Sequence, residues 1–215
     1  YEEWAVNTVM SLDLVTMRYT TLAPMITARK WHATAVVGRK LFVMGGHDSY
    51  APLSSVECLD LETGQRSYMA HMSTAREHHG AVVLEGKIFV AGGSPSNIVG
   101  ISVESFDAAT NKGTAVTPMN PSRCYHGLVS AQGKLFAVGG VNIQDGLLTS
   151  VECFDPSTRV WSNIAALSAA RASLAVAVLG DKLYAIGGEG GDWDQALSSV
   201  ESVSYTHLRA HEPPE

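Results

Sequence analysis

Cysteine is scarce in this chain: three residues among 215. An odd, sparse count excludes a disulfide scaffold and suits a reducing compartment, so a cytoplasmic location is expected. Positive charge is also in short supply. Lysine and arginine total 15 against 21 acidic residues, a net charge of −6. No basic footprint for nucleic acid is present, and no run of lysine or arginine suits an anionic membrane. The longest apolar runs, such as 174–180, are too short to span a bilayer. The opening YEEWAVNT has no basic segment followed by an apolar core, so no signal peptide is read there. It also has no initiator methionine, and the chain is expected to be a fragment. Proline is low, and only the last dozen residues have a composition typical of disorder. What remains is 46% hydrophobic, enough for a sizeable core.

Three markers recur in step. Glycine pairs stand at Gly45-Gly46, Gly92-Gly93, Gly139-Gly140 and Gly187-Gly188, spaced 47, 47 and 48 residues apart. Glu57, Glu104, Glu152 and Glu201 each follow a valine, and step by 47, 48 and 49. Arg29, Arg76, Arg123 and Arg171 step by 47, 47 and 48. A period of 40–50 residues with short strands points to propeller blades. Each repeat reads as four strands, about His32–Val37, Lys40–Met44, Ser55–Asp60 and Arg66–Met69 in the first. The inner strands are almost wholly apolar, which suits sheets buried on both faces. Asp60, Asp107 and Asp155 open tight turns, where the side chain bonds to its own downstream backbone.

The expected fold is all-β, an incomplete open arc of about four four-stranded blades. Residues 1–23 read as the outer half of a blade, 31–70, 78–117 and 125–164 as complete blades, and 173–203 as a partial one. Residues 204–215 carry no repeat marker and are set aside as a non-repeat tail. Cys58 and Cys153 hold equivalent places in non-adjacent blades, too far apart to bridge, and the three thiols are expected to be free and half-buried. His207 and His211 have a metal-like spacing but no third ligand. Neither a metal site nor a cofactor is expected.

Together the glycine pair, the Val-Glu-x-x-Asp strand, the arginine and the step resemble the kelch repeat family, over Val9 to about Val203. The Ser-Val-Glu signature looks most like kelch-like proteins of the BTB type. In the family an aromatic residue stands in the fourth strand, here Trp161. Tyr19, Arg66 and Gly113 hold that place in the other copies, where thinner outer packing is expected. The resemblance implies a substrate-recruiting propeller of a cullin-type ubiquitin ligase adaptor, the cullin being reached only through upstream domains absent from this sequence. An actin-binding propeller is an alternative. A second class is a kelch-type enzyme, such as a sugar mutarotase or a copper oxidase.

Chemistry finds little support in the residues. The glycine pairs follow strands, but no helix and no Gly-Lys-Ser/Thr follows, so no phosphate loop is read. Steric need explains them better: a side chain would collide with the next blade, and the turn needs unusual φ. The repeated glutamates stand one per blade, whereas glycosidase carboxyls lie within roughly 5–10 Å of each other. A buried glutamate needs a partner, and the repeated arginines are expected to supply it, Arg123 through two nitrogens. Cys124 and Tyr125 are adjacent in sequence, the wrong arrangement for an oxidase crosslink. The chain is therefore expected not to be an enzyme.

Variation at equivalent places is the stronger signal. Two residues after each arginine come Trp31, His78, Tyr125 and Ser173. The loops after the glycine pairs contribute His47, Asp48, Tyr50, Asn97, Asn142, Gln144 and Trp193. Loops that differ on a repeated scaffold suit recognition, and aromatic residues are enriched at binding hot spots. A protein partner is expected on this rim. His32, His79 and His126, with Leu174 in the fourth copy, are expected to open the innermost strands and face the channel as structural histidines.

Overall fold

The second strand of each repeat is a nearly continuous apolar run after its lysine, and the computed structural model shows why. It describes residues 4–94, 99–191 and 195–205. An opening hairpin, β1 (Val9–Leu12) and β2 (Tyr19–Leu22), precedes three four-stranded antiparallel sheets. The first is β3 (Ala33–Val37), β4 (Lys40–Met44), β5 (Val56–Asp60) and β6 (Arg66–Met69). The second is β7 (Gly80–Leu84), β8 (Lys87–Ala91), β9 (Val103–Asp107) and β10 (Lys112–Val116). In the third, β11 (Gly127–Ala131) and β12 (Lys134–Val138) are followed by a small hairpin, β13 (Val141–Asn142) and β14 (Gly146–Leu147), before β15 (Val151–Asp155) and β16 (Val160–Asn163). The last sheet has three strands, β17 (Ala175–Leu179), β18 (Lys182–Ile186) and β21 (Val200–Ser204), with a second small hairpin, β19 (Glu189–Gly190) and β20 (Gln195–Ala196). No helix occurs among the described residues.

The sheets stand side by side as blades. Their first strands approach one another across blades, β3 to β7 to β11 to β17, and so line the axis. The second strands are sandwiched. Phe42 and Met44 pack with Ile88, Val90 and Phe106 of the next blade. Leu84 and Phe89 pack with Leu135 and Phe154, and Phe136 and Val138 with Leu183, Ala185 and Val203. Burying each such large side chain contributes about 1.5–3 kcal/mol, so most of the stability lies between blades. β18 marks the end of the arc. It alternates exposed and buried residues where β8 and β12 are continuously buried, and Leu179, Ile186 and Val200 are exposed on its sheet. At the other end Met10, Leu14, Val15 and Tyr19 are exposed around the opening hairpin.

Several sequence expectations need adjustment. The tail boundary at 203 falls two residues short. Ser204 ends β21, and Tyr205 is buried against Phe136, its hydroxyl donating to the Gly180 carbonyl at 2.8 Å. Residues 206–215, with His207 and His211, lie outside the described residues. The loops after the third and fourth glycine pairs form the small hairpins β13–β14 and β19–β20, and in the first Gly146 supplies the positive φ that a tight reversal needs. The fourth blade has three described strands. Cys58, Cys124 and Cys153 are free and fully buried, not half-buried.

The Asp-led turns form as their chemistry dictates. Asp60 Oδ1 accepts from the Glu62 and Thr63 amides, and Asp107 Oδ1 from those of Ala109 and Thr110. Outer packing varies with the fourth-strand residue. Trp161 packs on Phe154 and donates its indole N–H to the Thr117 carbonyl of the preceding blade. At Gly113 a side chain would meet nothing within 4 Å. Arg66 fills the place differently, donating to the Ala23 carbonyl at 2.7 Å.

Candidate functional site: the mouth of the arc

Each blade is entered through a short segment that carries the repeated arginine, and this segment builds the mouth. The guanidinium is fully enclosed and works as a clamp. In Arg123, Nη1 donates to the Gly139 and Ser150 carbonyls, and Nη2 to Ser150 Oγ and to Glu152 at 2.6 Å. Arg29 and Arg76 repeat the pattern with Glu57 at 2.5 Å and Glu104 at 2.8 Å, and Arg171 pairs with Glu201. The expected two-nitrogen pair is not what forms. In Arg123 only Nη2 takes the carboxylate: Nη1 is committed to backbone carbonyls, and Nε meets no partner among the described residues. The remaining carboxylate valence goes to backbone amides: Glu57 accepts from Ile26 and Thr27, and Glu152 from Asn120. The clamp thus joins the entering segment to the second and third strands of its own blade.

The glycine pair then locks one blade to the next. A Cβ on Gly92 would stand 2.3 Å from the Arg123 carbonyl oxygen and 2.9 Å from the His126 ring, and Gly92 has φ of +64°. Close approach lets the Gly93 amide donate to that carbonyl at 3.0 Å, as Gly46 does to Arg76 and Gly140 to Arg171. Gly45 and Gly139 are crowded in the same way by Arg76 and Arg171, whereas a side chain on Gly187 would meet only Leu197. Gly188 is closed in by Ala172 of its own blade.

Beyond the arginine the chain turns into the mouth with a positive φ: Trp31 (56°), His78 (53°), Tyr125 (54°) and Ser173 (53°). These four are joined in series. His78 N–H donates to the Trp31 carbonyl at 3.1 Å, Tyr125 N–H to His78 at 3.0 Å, and Ser173 N–H to Tyr125 at 2.8 Å. The hydrogen bonds stack the side chains above them. Ring centroids of His78 and Tyr125 lie 3.9 Å apart, and those of Trp31 and His78 4.5 Å. His47 meets Trp31 edge-on at 5.8 Å, and the Lys30 ammonium lies 4.3 Å above the indole. Bridges from Lys30 to His47, Glu77 to Ser94, Cys124 to Val141 and Ala172 to Glu189 set the loops after the glycine pairs beside these rungs, on one rim.

Below the ladder is a depression of about 410 Å³, lined by Trp31, His32, His78, His79, Tyr125, His126, Ser173 and Leu174. His79 and His126 are enclosed, and neither ring nitrogen of either has a hydrogen-bond partner among the described residues. Burial, reinforced by Arg76 and Arg123, holds both down to about pKa 3, and burial holds His78 at about 4. The imidazoles are therefore neutral at pH 7. Among the described residues no group of histidine, cysteine, aspartate or glutamate is arranged to hold a metal ion.

The buried histidines give the fold a pH limit. An unfolded histidine titrates near 6.5, so between pH 6.5 and 3 the unfolded chain binds more protons than the folded one. Stability is full above pH 6.5 and falls as pH drops, by on the order of 1 kcal/mol per pH unit for each histidine. Leu174 shows that leucine suits the same place. The His79→Leu, His126→Leu double variant is expected to flatten the decline in denaturation midpoint between pH 6.5 and 4.5. An unchanged slope would refute the assignment.

The other residues expected on the rim take several roles. Asp48 Oδ1 caps its own loop, accepting from the Tyr50 and Ala51 amides at 2.8 Å. Tyr50 is exposed and stands apart from the ladder. Asn142 is buried, not presented: its amide holds Asp145 and closes the β13–β14 hairpin. Gln144 is exposed at the tip of that hairpin. Asn97 and Trp193 lie outside the described residues. Glu77, Lys30 and Glu189 at the mouth were not singled out from sequence. Their position one residue before a rung, or one after a glycine pair, is the signal that would have found them.

A family model described as the KLHDC2/KLHL20/DRC7 Kelch-repeats domain matches residues 2–188, and a Kelch motif model matches residues 170–207. The BTB type is not distinguished by these matches. No curated protein gives a significant match to the chain. Among solved structures, the one titled "Structure of YjhT" matches with a TM-score of 0.73 at 19% identity, over 86% of this chain and 65% of that one. The chain thus spans about two thirds of that structure's length. The match corrects the expectation that the chain is not an enzyme. The propeller is shared with YjhT, and one fold serves catalysts and binding modules alike, so the absence of a recognisable triad in the sequence does not exclude catalysis. No helix among the described residues is long and apolar enough to cross a membrane.

Proposed function

We propose that this chain, which belongs to the KLHDC2/KLHL20/DRC7 Kelch-repeats domain family, recruits a partner protein at the mouth of its arc. Kelch domains generally bind protein partners, and the ladder of Trp31, His78 and Tyr125 is the observation that carries the reading here. Three rings are held in register by backbone hydrogen bonds. Such a surface is ordered before binding, so little side-chain entropy remains to be lost on association. Loops of differing sequence surround it on a rigid, repeated support. Within this reading the propeller is the substrate-recognition part of a ubiquitin ligase adaptor acting in the cytoplasm, with the ligase bound through another part of the protein.

A partner retained from cell extract can be titrated against two variants. Tyr125→Ala removes the last ring of the ladder and is expected to cost about 2 kcal/mol of affinity, the range of a hot spot. Lys134→Ala, at the opposite end of the blade where Lys134 pairs with Asp155, is expected to cost less than about 0.5 kcal/mol. Normal binding by Tyr125→Ala together with loss in Lys134→Ala would place the docking surface on the other end.

A further inference from the structure

The mouth is unevenly charged. At its first rung the residue before Trp31 is Lys30, bridged to His47, and the lysine ammonium already lies over the indole. At the second rung the preceding residue is Glu77, and at the fourth Ala172 is bridged to Glu189. Imidazole and ammonium at the first rung, with Glu77 in their field, thus give way to Glu189 alone at the fourth. Tyr125 stands within the field of both. Its hydroxyl is raised above the usual tyrosine range by burial first, then by Cys124, Glu77 and Glu189. Glu77 Oε2 is enclosed and meets no hydrogen-bond partner among the described residues. Lys30 and His47 already act on Glu77, so the carboxylate that a further cationic donor would serve is Glu189. The fourth rung, Ser173, carries no ring, and the depression opens beside it.

We propose that the Tyr125–Ser173 end of the mouth receives an arginine side chain of the partner. The guanidinium lies along the aromatic ladder and donates to Glu189. Arginine is favoured over lysine because its planar group stacks on rings while its edge donates to a carboxylate. It places at this end the kind of cation that Lys30 supplies at Trp31. The inference rests on the protein-docking reading above and adds the chemistry of what docks.

A phage-displayed library of random dodecapeptides, panned on the whole chain and counter-screened on Tyr125→Ala, separates the two statements. Tyr125-dependent clones are expected to be enriched in arginine. In a synthetic peptide from such a clone, replacing arginine by citrulline keeps the shape and removes the charge. It is expected to weaken binding at least tenfold on the unaltered chain and less than threefold on Glu189→Gln. Ser173→Arg supplies a guanidinium from the chain itself and is expected to weaken the arginine peptide about tenfold. The larger side chain is accommodated because Trp31 holds the same backbone geometry. Tyr125-dependent clones without arginine, or equal binding of the citrulline peptide, overturn this inference and leave the docking surface standing. A library that yields no clone sensitive to Tyr125→Ala overturns both.

Discussion

Replacing Arg123 with alanine is expected to destabilise the fold by about 3–5 kcal/mol, the cost of leaving a buried charge without its partner. Glu152 is 2% exposed. Without the guanidinium its carboxylate keeps only the Asn120 amide among the contacts described, the Gly139 carbonyl loses its Arg123 donor, and the Ser150 carbonyl keeps only the Gly139 amide. Arg123→Lys should recover little, since one ammonium cannot reach acceptors spread over two strands. Adding Glu152→Gln to Arg123→Ala removes the stranded charge and is expected to restore part of the loss. Urea denaturation of the four chains measures this directly. A loss below about 1 kcal/mol for Arg123→Ala would show that the clamp is ornamental to stability.

A second large effect is expected at the glycine pairs, and it should depend on position. Gly92 and Gly187 have nearly the same backbone, φ of +64° and +60°. Alanine in this region costs roughly 1–2 kcal/mol at either place. At Gly92 the new methyl would also strike the Arg123 carbonyl, a backbone atom of the next blade fixed by the Gly93 hydrogen bond. Relief requires the blades to move apart, adding about 1–3 kcal/mol. Gly92→Ala is thus expected to lose about 2–5 kcal/mol and Gly187→Ala about 1–2 kcal/mol. Equal losses would mean that φ alone, not the approach of the next blade, demands glycine.

The blades were legible because their determinants are local and recur. A strand such as Lys40–Met44 lies between a turn glycine and a glycine pair, and both limits can be read directly. The Arg–Glu partnership was legible from its common step. Its hydrogen bonding was not, because sequence does not show that the Gly139 and Ser150 carbonyls compete for the same guanidinium. Trp31, His78, Tyr125 and Ser173 stood out as variable places on a repeated frame. That they bond in series follows from their shared positive φ, which non-glycine residues seldom adopt and which nothing in their side chains announces. Asn142 misled for a simple reason. An exposed-looking polar residue in a loop also has the chemistry to close a hairpin, and here it does. Tyr205 misled because one buried aromatic carries no period.

The bonds between successive rungs have a mechanical consequence. At the mouth, neighbouring blades are tied by Trp31-to-His78, His78-to-Tyr125 and Tyr125-to-Ser173 links and by glycine-to-arginine links. Toward the outer edge the ties run through side chains: Arg66 to Ala23, the Ala70 amide to Asn111, the Thr117 hydroxyl to Arg159 and Trp161 to Thr117. The assembly is built like a folding fan, riveted by backbone at the handle and stitched by side chains at the leaf. Losing one side chain at the perimeter therefore removes one outer tie and leaves the backbone links at the handle in place, so a guest held at the rivet would be insulated from change at the perimeter.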